Sequence, residues 1–188
     1  MASEGVGPAA LDAARLPRTV CSRPDVLRIA QAVTAEETKT ARALMREYQA
    51  LLGVDLCFQG FEAELRGLPG SYAPPAGRLL LATVDGEAVG CVALREAGGT
   101  RAEMKRLFVR PAARGLGLGK ALVLRVLTEA RAAGYDEVVL DTLPTMAEAQ
   151  RLYGELGFRD VPPYRPNPIA GTRYLGLALG EGPLPDGR

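Results

Sequence analysis

The chain has 188 residues, a size suited to one domain with a substantial hydrophobic core. Apolar residues make up 47% and charged residues 24%, and a net charge of +1 gives no bulk electrostatic basis for nucleic acid or an anionic membrane as partner. There is no histidine, which excludes Ser-His-Asp and Cys-His catalysis, His-ligated zinc, and histidine as general base.

The first 24 residues are rich in small residues and proline, and no basic segment leads into an apolar run. They read as a disordered tail and not as a signal peptide. The domain is expected over residues 25–180, opening with a β-branched strand at VLRIAQA, 26–32. A helix follows over 34–53, announced by a capping box of Thr34 and Glu37 and closed by Gly53. FEAELRGL, 61–68, suggests a second short helix. RLLLATV and EAVGCVALR flank Asp85-Gly86, a strong hairpin signal, and EMKRLFV, 103–109, continues the meander. The glycine-rich stretch at 114–120 then enters a helix ending at Gly134, with Leu122, Val123, Val126, Leu127 and Ala130 on one face. A buried-type strand at 137–142, a helix ending at Gly157 and a last strand at 172–180 complete the pattern. EGPLPDGR, 181–188, reads as a frayed tail. The order predicts a single α/β domain with a mixed sheet.

Cys21, Cys57 and Cys91 are odd in number and widely spaced, with no CxxC pair, so neither a disulfide framework nor a metal site is expected. No run approaches the roughly 18 apolar residues of a membrane span, and a cytoplasmic location is expected. Acid–base chemistry must therefore run on Asp, Glu, Tyr, Lys or Cys.

RGLGLGK, Arg114 to Lys120, fails both nucleotide patterns letter by letter. A Walker loop requires glycine where Arg114 stands and a hydroxyl where Ala121 stands, and the dinucleotide fingerprint requires glycine at Lys120 or Leu122. What remains is a strand ending near Val109, a tight glycine turn and a helix N-terminus whose unpaired N–H groups point outward. Arg110, Arg114 and Lys120 add positive charge, so the loop suits a pyrophosphate bound largely by backbone.

VRPAARGLGLGKAL resembles the acyl-CoA signature of the GNAT N-acetyltransferase superfamily, with Arg114, Gly117 and Gly119 at its defining positions. AEAQRLYGELGF resembles the second recurrent segment of that family, matched at Ala149, Leu152, Tyr153, Leu156, Gly157 and Phe158. The resemblance implies a mostly antiparallel sheet with a splayed parallel strand pair, flanked by about four helices. It also implies acetyl-CoA as co-substrate, with no metal. Contacts would come from Leu107, Phe108, Val109, Arg114, Gly115, Leu116, Gly117, Leu118, Gly119, Lys120 and Tyr153. By the same resemblance Glu103 is the general base and Tyr153 protonates the leaving thiolate, with backbone N–H near Val109 stabilising the oxyanion. Glu103 also shares a strand face with Lys105, and a pair between them would weaken the base. Met146 stands where many members carry an asparagine that contacts the cofactor.

The expected reaction moves an acetyl group to a primary amine of a small-molecule or amino-acid-like acceptor in a ternary complex. The alternative is a non-catalytic acyl-CoA-sensing module acting on a protein partner. Acceptor candidates are Gln59, Tyr72, Arg95, Tyr164 and Asn167, with Asp55 beside them. An edge-forming last strand would suit a homodimer.

Overall fold

A computed structural model describes residues 26–54, 60–180 and 182–184. Its elements are β1 (Leu27–Gln31), α1 (Ala35–Leu52), α2 (Phe61–Arg66), β2 (Arg78–Val84), β3 (Glu87–Glu96), β4 (Arg101–Val109), α3 (Leu118–Ala132), β5 (Glu137–Thr142), α4 (Ala147–Glu155), β6 (Arg159–Asp160) and β7 (Arg173–Ala178). Short 3-10 turns lie at Gly70–Tyr72 and Pro111–Ala113. The seven strands form one sheet in the order β1-β2-β3-β4-β5-β7-β6. All neighbours are antiparallel except β4 and β5.

Local signals set the boundaries. Thr34 accepts from the Glu37 N–H while Glu37 reaches back to the Thr34 N–H, completing the capping box. Gly53 ends α1 in the left-handed region, at φ 62°. Asp85 and Gly86 both have positive φ, the conformation that matches a tight hairpin to strand twist.

Alternate strand residues pack to opposite faces of the sheet. Leu80, Ala82, Val92, Leu94, Ala102 and Met104 meet α3 and α4 in one core. Leu79, Leu81, Cys91, Ala93 and Phe108 meet α1 and α2 in the other. Each fully buried leucine among them contributes roughly 1.5–3 kcal/mol.

Two features of the sheet differ from the sequence reading. β6 is an additional two-residue strand that pairs with Gly176 and Leu175, so the last strand β7 lies between β5 and β6 and is not the sheet edge. The expected dimer edge is therefore occupied over those residues. β4 is also irregular. Between Cys91↔Phe108 and Ala93↔Lys105, β4 advances one residue more than β3, which is a β-bulge. The bulge holds Arg106 at φ 57°, a left-handed conformation that costs a non-glycine residue about 1–2 kcal/mol.

What holds the bulge is a buried ion pair. Arg106 Nε and Nη2 donate to the two Glu64 oxygens on α2 at 2.8 and 2.7 Å, and the guanidinium lies 4.9 Å from the Phe61 ring centre. The Cys91 thiol donates to the Arg106 carbonyl. Burial pushes the Glu64 carboxyl up, but Arg106 outweighs it and the net shift is downward.

Candidate active site

β4 and β5 pair only through Arg101↔Glu137, Ala102↔Val138 and Glu103↔Val139. Beyond Glu103 the strands diverge, and the side of β4 that faces β5 has no strand partner over 104–109. A groove of about 740 Å³ opens along this stretch, within the usual size of small-molecule sites. Leu107, Phe108 and Val109 form one wall, the glycine loop the floor, and α4 with Thr145 and Met146 the opposite wall.

The glycine loop owes its shape to backbone freedom at two positions. Gly115 and Gly117 have φ of 81° and 73°, and a Cβ built on either meets nothing within 4 Å, so conformation and not crowding selects glycine there. Gly117 is the N-cap of α3, and the first intrahelical bond in this turn is Ala121 N–H to the Gly117 carbonyl at 3.0 Å. The N–H groups of Leu118 and Gly119 lie in the first turn of the helix, on the groove floor. Gly119 is different: its missing side chain faces Leu152 on α4, with a Cβ-to-Cδ2 distance of 3.6 Å.

Of the anticipated cofactor contacts, all but Leu116 line the groove or the cavity at its end; the Leu116 side chain is 62% exposed to solvent. Arg114 Nε donates to the Val109 carbonyl at 3.2 Å, fastening the loop to the strand end. Arg110, expected to add charge at the loop, instead forms a two-pronged pair with Glu47 on α1 at 2.8 and 2.7 Å. Arg151 on α4 lines the groove and carries no sequence signal beyond its helix.

At its inner end the groove meets a small cavity of about 40 Å³ between the diverging strands. The two share Tyr48, Leu52, Leu107 and Met146 in their walls. The volume is enough for about three water molecules or a small functional group. Tyr153, Lys105 and Asp141 bring polar groups to it. Burial pushes the Tyr48 phenol up to about 12 and that of Tyr153 higher still, so both remain protonated donors.

Beside the cavity lies an interlocked charge cluster. Glu103 is only 2% exposed. Its Oε2 accepts from Arg95 Nε at 2.8 Å, with Arg95 Nη2 at 2.6 Å. Its Oε1 accepts from the Tyr164 hydroxyl at 3.0 Å and lies 3.0 Å from Arg165 Nε and 3.7 Å from Lys105 Nζ. Lys105 is also 3.9 Å from Asp141 Oδ1. Arg165 Nη2 donates to Asp141 Oδ1 at 2.6 Å and Asn167 Nδ2 to Asp141 Oδ2 at 2.9 Å. Burial pulls the Lys105 ammonium down to about 8 even though Glu103 and Asp141 oppose the shift. Burial raises Asp141, but Lys105 and Arg165 outweigh it and the net shift is downward.

The structure thus brings Glu103, Arg95, Tyr164 and Asn167 together. Tyr72 is a core residue at 1% exposure, packed in the core under α1 and α2. Gln59 and Asp55 fall outside the described residues. Asp141 was concealed in a strand read only as apolar, and Arg165 lay unnoticed between Tyr164 and Asn167. Among the described residues, no group of three or more His, Cys, Asp or Glu could hold a metal, and no helix is long and apolar enough to cross a membrane.

A mixed sheet whose one parallel pair splays beside a glycine-lined helix start is the architecture of an acyl transferase that takes its acyl group from coenzyme A. The profile of the acetyltransferase (GNAT) family matches residues 40–158. The chain belongs to that family and is an acetyl-CoA-dependent acyltransferase. It is 38% identical over 161 residues to an uncharacterised N-acetyltransferase of Schizosaccharomyces pombe, covering 85% of this chain and 99% of the relative. It is 42% identical over 88 residues to the N-acetylaspartate synthetase of Rattus norvegicus, covering 46% of this chain and 29% of that protein. Its fold is similar to that of the PaiA N-acetyltransferase of Thermoplasma acidophilum in complex with coenzyme A, with a TM-score of 0.63 at 18% identity, covering 81% of this chain and 99% of the other.

Proposed function

We propose that the protein acetylates the primary amine of a small, amino-acid-like acceptor by direct attack in a ternary complex. The carrying observation is continuity: the long groove runs into a cavity where a phenol, an ammonium and a carboxylate converge. The N-acetylaspartate synthetase relative supports the acceptor class, since its name describes an N-acetylated amino acid as product.

In this reading backbone N–H groups from Leu116 to Lys120 hold the pyrophosphate of acetyl-CoA, with Arg114 and Lys120 adding charge. The unpartnered side of Leu107–Val109 offers backbone groups to its extended arm, as an added strand would use them. Bound acetyl-CoA supplies a thioester, the acyl donor. Tyr153 reaches the cavity as a protonated phenol and gives its proton to the departing sulfur.

The proton of the incoming amine leaves through Lys105 and Glu103. Lys105 fronts the cavity and Glu103 stands behind it, already engaged by Arg95 and Tyr164. The Lys105 ammonium, pulled by burial down to about 8, is well matched to an amine proton. Neutral Lys105 takes the proton and shares it with Glu103, 3.7 Å away. Glu103→Gln is expected to slow turnover and change its pH dependence, with CoA affinity nearly unchanged.

The test is thiol release from acetyl-CoA across a panel of amines, with acetyl-CoA binding measured by calorimetry on the same protein. Amine-dependent release supports acetyl transfer. Tight CoA binding without release for any amine overturns it and leaves a sensing module.

A further inference from the structure

The chain carries lysine only at Lys39, Lys105 and Lys120, and one of these faces the reaction chamber. Lys105 lines the small cavity at the inner end of the groove, together with Tyr153 and Asp141. Lys39 stands on the outside of α1 with its side chain 71% exposed, and Lys120 lies on the groove floor beside the glycines.

Position along β4 brings Lys105 to the reacting end of the donor. An arm that runs from the glycine loop past Val109 and Leu107 points its thioester further down the strand, and Lys105 is the second residue beyond Leu107. At ordinary strand rise that step is about 7 Å. The cavity has room for about three water molecules, the size of a methyl joined to a carbonyl. An acetyl group that enters it comes close to every wall, Lys105 included.

The surroundings make this amine a nucleophile. Met104, Leu140 and Leu143 add apolar surface to the cavity wall, and the Lys105 side chain is 3% exposed. Burial pulls its ammonium down to about 8 against the opposing pull of Glu103 and Asp141, with Arg106 and Arg165 adding to the fall. The phenols of Tyr48 and Tyr153 on the same wall stay protonated through this range. About a tenth of the chains then carry the neutral amine at pH 7, and about nine-tenths at pH 9. A desolvated lysine of this kind is an activated nucleophile toward a carbonyl carbon. Its ionic neighbours tolerate the loss of its charge: Glu103 keeps Arg95 and Tyr164, and Asp141 keeps Arg165 and Asn167.

We propose that Lys105 is a self-acetylation site, whose Nζ takes the acetyl group of bound acetyl-CoA when no separate acceptor is present. The assignment rests on the donor placement of the reading above. The Nζ lone pair bonds to the thioester carbonyl carbon, and the carbon–sulfur bond breaks. Tyr153 gives a proton to the departing sulfur. One proton of Nζ passes to Glu103, 3.7 Å away, and in balance replaces the one that the phenol gave. Lysine amine and thioester become amide and thiol, with no further reactant. The amide is neither nucleophile nor base, so the acetyl group goes no further and the chain has lost the group that receives the acceptor's proton. An amine in the acceptor position protects Lys105 by taking the acetyl group first.

The experiment incubates the full chain with acetyl-CoA alone, follows thiol release, and maps acetylation at Lys39, Lys105 and Lys120 by peptide mass spectrometry. Release is expected to stop at about one thiol per chain, with acetyl on Lys105 and little on the other two. The rate should rise roughly tenfold from pH 7 to pH 9 and level off there, whereas an ordinary lysine titrating at about 10.4 would keep gaining. Chains treated in this way should lose most of their amine-dependent turnover, and Lys105→Arg should give no such single release. Should that variant not fold, the acetylation map of the unaltered protein still decides. Lys105 left unmodified in a protein that acetylates an added amine overturns the assignment and leaves acetyl transfer standing. Equal acetylation of Lys39, Lys105 and Lys120 also overturns it, as uncatalysed reaction with the thioester. Acetyl on Lys105 without release for any amine upholds the assignment and overturns transfer to a separate acceptor. If neither is seen, both fail.

Discussion

Removing Glu64 separates the contribution of the β4 bulge to stability from its contribution to the site. Glu64→Ala leaves the Arg106 guanidinium, whose side chain is 3% exposed, without its two charge-assisted hydrogen bonds. Breaking a buried pair from one side costs about 3–5 kcal/mol, because the orphaned charge stays desolvated. The left-handed backbone at Arg106 then loses its anchor to α2 and gains a further reason to relax. For a chain of this size each kcal/mol moves the melting temperature by about 2–4 °C, so a fall of roughly 10 °C is expected. Urea denaturation followed by circular dichroism gives the free energy directly. The loss should shrink in acid. Glu64 has its carboxyl lowered in the folded state, so its stabilisation is full above the unfolded value near 4.5 and disappears as pH falls through the lower folded value. Glu64→Leu combined with Arg106→Met should recover much of the stability while leaving the bulge unpinned and turnover impaired. A cost below about 1 kcal/mol for Glu64→Ala at pH 7 would refute the assignment of the pair as the clamp on the bulge.

Other changes read other parts of the mechanism. Lys105→Met is expected to remove the rise in kcat through about pH 8, seen as a flattened pH–rate profile. The same variant bears on stability. Lys105 titrates lower in the folded chain than unfolded, so its charged form opposes folding below about pH 8 and that penalty is relieved between 8 and 10.5. Relative to Lys105→Met, the unaltered protein should gain up to roughly 3 kcal/mol across that window, measured by denaturant titrations at successive pH values. Tyr153→Phe should lower kcat about a hundredfold or more while calorimetry finds CoA affinity nearly unchanged. Gly117→Val forces a β-branched residue to φ 73° and should weaken CoA binding in a protein that still folds. Gly154→Ala makes the opposite point: its Cβ meets nothing within 4 Å in the last turn of α4, and thermal melting should show a gain of about 0.5 kcal/mol.

The local parts of this fold were legible because their causes are local. Thr34 with Glu37, the Asp85-Gly86 turn, and Gly53, Gly134 and Gly157 each act over a few residues. β6 had no such signal: Arg159 and Asp160 are exposed and polar, and pair only because β7 passes beside them. The bulge at Arg106 was equally silent, since no glycine marks it and its partner Glu64 is 42 residues away. The donor side of the site was readable for the same reason that it works, being built from consecutive backbone. The acceptor side is a set of side chains from β3, β4, β5 and the segment before β7. Its candidates could be named one by one, as Glu103, Arg95, Tyr164 and Asn167 were, but the ionic lattice that joins them through Asp141 and Arg165 arises only when the strands are placed side by side.

The divergence of β4 and β5 also bears on heat tolerance. Tyr48 packs its ring against Phe108 in the core under α1, at 6.1 Å, and Tyr153 packs against Phe158 in the core under α4, at 5.6 Å. Both tyrosines face the same small void. The chamber is therefore a seam in the sheet, where the cores of its two faces approach each other and β4 and β5 are joined along only three rungs of parallel pairing. Warming should loosen this seam before either core melts, so turnover should decline at temperatures where the ellipticity is still that of the folded chain. A bound donor lying along the unpaired strand would stitch the seam and bring the two temperatures together.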